Sequence, residues 1–408
     1  MVDQQYHAVD EGSCAAEAIE PRPRRVHLYT SVAILNISYL ILGTTFTWSS
    51  PMMLKLQLSS SDTSTVVSAI TIGGMVGPFM SGLVMDRLGR KGTAAMAVGL
   101  ITVSYLLLNS TRRVLILAAG RFLAGVSFAI TFSALPVYIA EISEDSVRGV
   151  LNTMNMISIA CGGLVMFCVA PFVSYELIHY VLLGGCAIFF LLLPLLPESP
   201  YSLVMKNQVG RAKEVLTWLR ENRSEAAIER ELQVIQKSIS GSKTETSSFI
   251  SLFSKGNRRA LATCFILFAL QQFSGLTILI YYLQTIFEMT GSAIPSSTCS
   301  IIVGVIKFGA GFLCPLAVKY SGYKKPLIVS ATGAGFGMSG LALFFYLKTN
   351  GFDVDSLNWL PILSVVVFIS FYIGGCASIP WAMAGELFPS NVKSIATCLL
   401  TASCSFLA

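Results

Sequence analysis

Long apolar runs separated by short polar turns set the pattern of this chain. Runs close to the roughly 20 residues that a helix needs to cross a hydrocarbon core occupy 28–48, 64–84, 93–108, 114–140, 150–172, 177–196, 260–287, 298–318, 326–347 and 361–385. An eleventh begins near Ser394, and the sequence ends inside it. The pattern predicts an all-α integral membrane protein of about 10–11 spans. A polar insert at 197–259 divides the runs into two groups. Within it, 209–221 and 225–239 carry helical periodicity, with Val215, Trp218 and Leu219 on one face and Ile228, Leu232, Ile235 and Ile239 on the other helix's face. Residues 241–248 read as a linker by composition. The expected organisation is a polar tail (1–27), a six-helix half (28–196), a linker with short amphipathic helices (197–259), and a second half (260–408). That second half is expected to be incomplete, truncated in the eleventh span.

Composition sharpens the class. The chain is 54% hydrophobic and only 12% charged, with a net charge of +6. Arg22, Arg24 and Arg25 precede the first run. Arg87, Arg90, Lys91, Arg148, the insert, Lys324, Lys325 and Lys393 fall on the same side by span counting, while Arg112 and Arg113 fall on the other. This bias predicts a cytoplasmic N-terminus and accounts for the net charge without a nucleic-acid partner. The first 27 residues hold no short apolar core of a cleavable signal. Ten cysteines occur without a Cys-x-x-Cys pair, so neither a disulfide framework nor a zinc site is indicated, and Cys299 is the one candidate for reactivity. His7, His27 and His179 are the only histidines, and no nucleophile elbow or phosphate-binding loop is present. The expectation is a protein that is not an enzyme and holds no cofactor or metal.

Several motifs stand at the ends of the runs. Residues 82–91 read Gly-Leu-Val-Met-Asp-Arg-Leu-Gly-Arg-Lys. Gly120-Arg121-Phe122-Leu123-Ala124-Gly125 opens the fourth run, Pro136-Val137-Tyr138-Ile139-Ala140-Glu141 closes it, and Val147-Arg148-Gly149 begins the fifth. Pro197-Glu198-Ser199-Pro200 follows the sixth, Gln271-Gln272-Phe273-Ser274-Gly275 lies in the seventh, and Pro380-Trp381 with Glu386-Leu387-Phe388-Pro389 lies in the tenth. A weak internal repeat echoes 82–91 at 319–325, and Pro136 to Glu141 at Pro380 to Glu386.

In this order and spacing the motifs resemble the sugar porter family of the major facilitator superfamily over nearly the whole chain. Thr47-Trp48-Ser49-Ser50-Pro51 is most similar to insect members of the facilitated trehalose transporter type. The resemblance implies two pseudo-symmetric helical halves related by an axis along the membrane normal, with substrate between them. It also implies facilitated transport of a sugar, trehalose or a hexose, across the plasma membrane. The partners expected are that small molecule and the lipid bilayer, with no obligate protein partner evident. The alternative function is a non-transporting sugar sensor or a degenerate, truncated paralogue.

Asp86, Arg87, Arg90, Arg121, Glu141, Arg148 and Glu198 read as charges at the cytoplasmic ends of helices, with Glu386 and Lys393 as their second-half counterparts. Such groups can pair in one conformation and separate in another, and exposed pairs contribute little, typically about 0–1 kcal/mol. They are the expected gating charges. For substrate, Gln271 and Gln272 offer both donors and acceptors to hydroxyl groups without a buried charge. Thr277, Tyr281 and Tyr282 follow on the same broad face or its margin, and Trp381 offers a flat surface to a sugar ring. The alternative for the amides is hydrogen bonding between helices.

Departures from the family pattern are specific. Thr277 replaces an expected Asn, Met156 an expected Gln, Tyr201 an expected Arg, and Cys376-Ala377-Ser378-Ile379 a Gly-Pro-x-Pro run. Lys307 stands where an Asn is usual, mid-run, and an ionisable residue inside a membrane is a functional candidate by default. No carboxylate lies mid-membrane, and Thr44 occupies the approximate position of the acid found in proton-coupled relatives. Passive facilitation is therefore expected.

Overall fold

In hydrocarbon each backbone N–H and C=O must find its partner inside its own segment, which makes helices of the apolar runs. The computed structural model describes residues 24–244, 254–291, 294–312, 317–318, 320–388 and 390–408. The first half comprises α1 (Val26–Thr47), α2 (Ser49–Leu56), α3 (Ser60–Ser110), α4 (Val114–Ile142), α5 (Asp145–Val169) and α6 (Tyr175–Leu192). The insert forms α7 (Pro200–Met205), α8 (Val209–Leu219) and α9 (Glu225–Thr244). The remainder forms α10 (Lys255–Phe273), α11 (Leu276–Tyr281), α12 (Leu283–Thr290), α13 (Ser296–Ala310), α14 (Lys324–Thr349), α15 (Leu360–Ile373), α16 (Ile379–Glu386) and α17 (Ser390–Leu407).

The second and third expected spans are two helical stretches, grouped here as α3, that meet in a sharp turn at Gly89, whose φ of 81° and ψ of −177° lie outside the helical region. In the first half α1 packs on α5 and α6, and α3 packs on α4 and α6. A Cβ on Gly43 would strike the Ile159 carbonyl oxygen, and one on Gly162 the Leu40 carbonyl oxygen. These two glycines let α1 and α5 approach backbone to backbone, the small-residue packing that serves where lipid removes the hydrophobic drive. In the second half α14 packs on α15, α13 on α15, and α10 on α17.

Two expected spans are interrupted. The seventh breaks at Gly275 (φ 84°) and again at Tyr282, giving α10, α11 and α12. The tenth breaks between Ile373 and Ile379, giving α15 and α16. The eighth is described as a helix, α13, to Ala310, and Lys307 lies in the last turn of that helix.

The insert is a small helical bundle with its own core of Leu203, Val204, Ala212, Leu216, Ile228, Leu232 and Ile235. Trp218, expected on the buried face of α8, instead stacks on His27 with ring centroids 4.2 Å apart, and Ala212 and Leu216 take the buried positions with Leu219. Lys213 reaches Glu225 at 2.8 Å and Glu229 at 2.9 Å between α8 and α9. The hydrogen bond from Lys213 holds the Glu225 carboxyl below its ordinary range. The side of the bundle bearing the insert is the linker face, and the other is the opposite face.

Candidate functional site

At the linker face a polar network is assembled around the bend of α3. Arg90 donates to Glu141 through Nε (2.7 Å) and a terminal nitrogen (2.6 Å), a two-pronged pair between α3 and α4. Both side chains are nearly buried, at 7% and 12% exposed, where the loss of one partner leaves an uncompensated charge. Glu198 accepts from the backbone N–H of Arg90 (2.8 Å) and of Ser199 (2.9 Å). It thereby caps the helical stretch that restarts after Gly89, with its charge at the positive end of the helix dipole. Ser199 Oγ donates to Glu141 and Tyr138 donates to the Pro197 carbonyl, while Lys91 Nζ donates to the Leu196 carbonyl at 2.7 Å. Three of the expected gating residues, Arg90, Glu141 and Glu198, thus meet as one unit.

Other expected members stand apart. Asp86 and Arg87 are exposed, and among the described residues they form no ion pair. Arg148 pairs within its own helix with Asp145 (2.8 Å) and donates to the Ala140 carbonyl (3.1 Å). The side chains of Glu386 and Lys393 lie outside the described residues.

Arg121 corrects the expectation that placed it at the linker-face end. It sits about two turns inside the opposite end of α4, roughly 30 Å along the helix from Glu141. It is fully buried there, donating to the Thr45 carbonyl (3.0 Å) and Ser49 Oγ (2.9 Å), with its guanidinium 5.0 Å from the Trp48 ring centroid. Among the described residues its Nε has no hydrogen-bond partner. Trp48 in turn donates to His179 Nε2 (3.0 Å), and His179 Nδ1 lies 2.7 Å from the Tyr175 carbonyl. His179 is therefore held as the neutral Nδ1–H tautomer, with both ring nitrogens engaged. Thr44 and Thr45 share the Tyr105 hydroxyl at 3.1 and 2.6 Å.

A run of aromatic rings crosses between the halves. Phe46 of α1 packs on Tyr281 of α11 (5.2 Å between centroids) and on Phe128 of α4 (5.9 Å). Phe128 stacks on Phe132 (5.1 Å), Phe132 meets Trp381 of α16 (5.3 Å), and Trp381 meets Phe268 of α10 edge-on (4.7 Å). Lys307 of α13 places Nζ 5.5 Å from the Phe46 ring centroid. The structure brings Tyr281, Lys307 and Trp381 into one chain of ring contacts, and adds four phenylalanines that sequence reasoning missed. The i, i+4 spacing of Phe128 and Phe132 was the available signal.

Gln271 and Gln272 adjoin these rings one turn from Phe268, with their amides committed to protein groups. Gln271 Nε2 donates to the carbonyls of Cys376 (3.0 Å) and Ala377 (2.8 Å). Both belong to the break between α15 and α16, so this amide satisfies carbonyls that the interruption freed. Gln272 Nε2 donates to Cys404 Sγ (2.8 Å), and its oxygen accepts from Thr277 (3.0 Å). Tyr282 packs against the first-half core. Cys299, the one candidate for reactivity, is fully buried in a cluster with residues of α12 and α15.

The halves also meet at Ser50, whose Oγ accepts from the Gln284 N–H (3.1 Å), and at Gly74, where a Cβ would lie 2.9 Å from Ser405 Oγ. Gly304 packs against Leu164 and Phe167. These contacts belong to the part of the bundle towards the opposite face. Glu144 binds the insert to the first half: Arg25 donates to it (3.0 Å from Nε), and Arg220 and Arg223 approach within 3.8 and 3.6 Å. Arg220, 1% exposed, also pairs with Glu231 (2.7 Å) and donates to the Ile142 carbonyl (2.8 Å).

Residues 11–408 match the family described as "Sugar (and other) transporter". The facilitated trehalose transporter Tret1 of Anopheles gambiae is 30% identical over 97% of this chain and 52% of its own length. That of Polypedilum vanderplanki is 28% identical over 98% of this chain and 82% of its own length. This chain thus spans about half the length of the first relative. Among solved structures, the partially occluded inward-open xylose transporter XylE from E. coli superposes with a TM-score of 0.76. It is 20% identical, and the match covers 93% of this chain and 90% of that one.

Proposed function

The chain belongs to the sugar transporter family, and from that premise we propose that it carries a sugar across the membrane by alternating access, without a coupling ion. The substrate reading is trehalose or a hexose, after the activity named for the insect relatives. The reading also includes residence in the plasma membrane with the linker face cytoplasmic, and the division at 28–196, 197–259 and 260–408.

The observation that carries it is the aromatic run between the halves. A sugar ring presents C–H faces to flat rings and hydroxyls to neighbouring polar groups. Phe46, Phe128, Phe132, Tyr281 and Trp381 supply the first, drawn from α1, α4, α11 and α16. Gln271, Gln272, Thr277 and Tyr282 stand beside them as the polar component. In this state the amides of Gln271 and Gln272 hold protein atoms, so a sugar hydroxyl must displace an existing partner. Closure towards the opposite face rests on Ser50–Gln284, Gly74–Ser405 and Phe46–Tyr281, while Arg90, Glu141 and Glu198 gate the linker face, with Asp86, Arg87, Arg148, Glu386 and Lys393 as further members of the proposed gate. The cation Arg121 meets a carbonyl and a hydroxyl where a proton-coupled carrier needs a titratable acid, and this supports uniport.

The commitment of both amides to protein partners favours one second reading, a sugar sensor that binds without transport. Uptake of labelled trehalose, glucose and fructose into proteoliposomes separates the two. Saturable entry supports the carrier, and ligand-dependent tryptophan fluorescence without entry supports the sensor.

A further inference from the structure

The ionisable groups inside the membrane are unbalanced. Each of the 22 acidic residues falls in a tail, a loop, the insert or the end of a span. Arg121 and Lys307, by contrast, are enclosed within the bundle. Arg121 is fully buried, its Nε unpartnered among the described residues. Lys307 is half-buried, and among the described residues its Nζ makes no hydrogen bond or ion pair, only the contact to the Phe46 ring. A buried cation is ordinarily paired or coordinated, because removal from water is costly without compensation.

The two cations are not remote from each other. Lys307 lies over the Phe46 ring, and Arg121 donates to the carbonyl of the adjacent Thr45. Lys307 also reaches across the boundary between the halves, from α13 to α1. Its position there is within the aromatic lining proposed for the sugar, and this inference rests on that reading.

We propose that the preferred substrate is a sugar bearing a carboxylate, a uronate, whose anionic group pairs with Lys307 while its ring lies on the aromatic run. A neutral sugar leaves the ammonium without a counter-charge in a low-dielectric lining, whereas a carboxylate supplies a charge-assisted hydrogen bond. A monoanion fits because, of these two cations, only Lys307 offers accessible donors. Two of the Arg121 nitrogens are engaged and the side chain is inaccessible, so Arg121 contributes a favourable field rather than a contact. Sugar phosphates, with a charge of about −1.5 to −2 at neutral pH, demand a second reachable cation.

The test is competition in proteoliposomes containing the full chain. Labelled glucose uptake is measured against unlabelled glucuronate, galacturonate, glucose and glucose 6-phosphate. Glucuronate or galacturonate is expected to compete at about tenfold lower concentration than glucose, the gain typical of one charge-assisted bond. Labelled uronate itself is expected to enter. In Lys307→Met that preference ratio falls about tenfold, and Lys307→Arg retains it. Equal competition by uronate and glucose in the wild-type protein overturns the inference and leaves sugar transport standing. A preference for glucose 6-phosphate overturns the carboxylate assignment. Entry of neither sugar nor uronate overturns both readings together, and the wild-type competition needs no variant to fold.

Discussion

Gly89 holds the bend on which the linker-face network is built. Its φ of 81° belongs to glycine, and a Cβ there would lie 2.5 Å from Glu198 Oε2. Gly89→Ala therefore combines backbone strain of about 1–3 kcal/mol with displacement of the carboxylate that caps the following helix. It is expected to lower the thermal midpoint of the detergent-solubilised protein and to expose the Arg90–Glu141 pair to water. An unchanged midpoint removes the bend from the account of stability. At this scale much was legible, because Arg90, Glu141 and Glu198 announce themselves as scarce charges in an apolar chain. Which partner each takes was less legible, since Arg148 turned to Asp145 in its own helix. Arg121 was misplaced by grouping it with motif charges. Its register, eight residues after Arg113, already put it at the other end of α4.

Among the elements, the apolar runs determined where helices lie, because hydrocarbon length and backbone satisfaction leave few alternatives. The breaks in the seventh and tenth spans were illegible. Hydrophobicity does not distinguish a continuous helix from two short ones whose freed carbonyls are met by Gln271 and Ser330. Ser330 Oγ donates to the Phe371 carbonyl at 2.7 Å and accepts from the Cys376 N–H at 2.8 Å. The insert shows the same limit: its amphipathic periods were readable, but its attachment through Glu144, Arg25 and Arg220 was not. Arg220→Ala strands Glu231 and frees the Ile142 carbonyl. Losing a buried partner costs about 3–5 kcal/mol, and the partial exposure of Glu231 puts this case at the lower end. Amide hydrogen exchange in α8 and α9 is expected to rise about tenfold to a hundredfold. Protection equal to wild type argues that the apolar core of the insert alone holds it in place.

For the whole molecule, two halves joined at the opposite face and a separate ion-pair network at the linker face are the parts that the proposed alternating access requires. The broken helices α10–α12 and α15–α16 lie at the boundary, and Gln271 and Ser330 meet carbonyls that the second break frees. The absence of a mid-membrane acid was readable from the chain itself, and the structure gave it meaning by showing what Arg121 binds instead. The central claim is uniport, and counterflow tests it most directly. Proteoliposomes preloaded with unlabelled sugar are given labelled trehalose, glucose or glucuronate outside, with and without an imposed acid-outside pH gradient and with the membrane potential clamped. Uniport predicts transient labelled overshoot only in preloaded vesicles, at an initial rate unaltered by the gradient. Gradient-driven accumulation in vesicles without preload would contradict it.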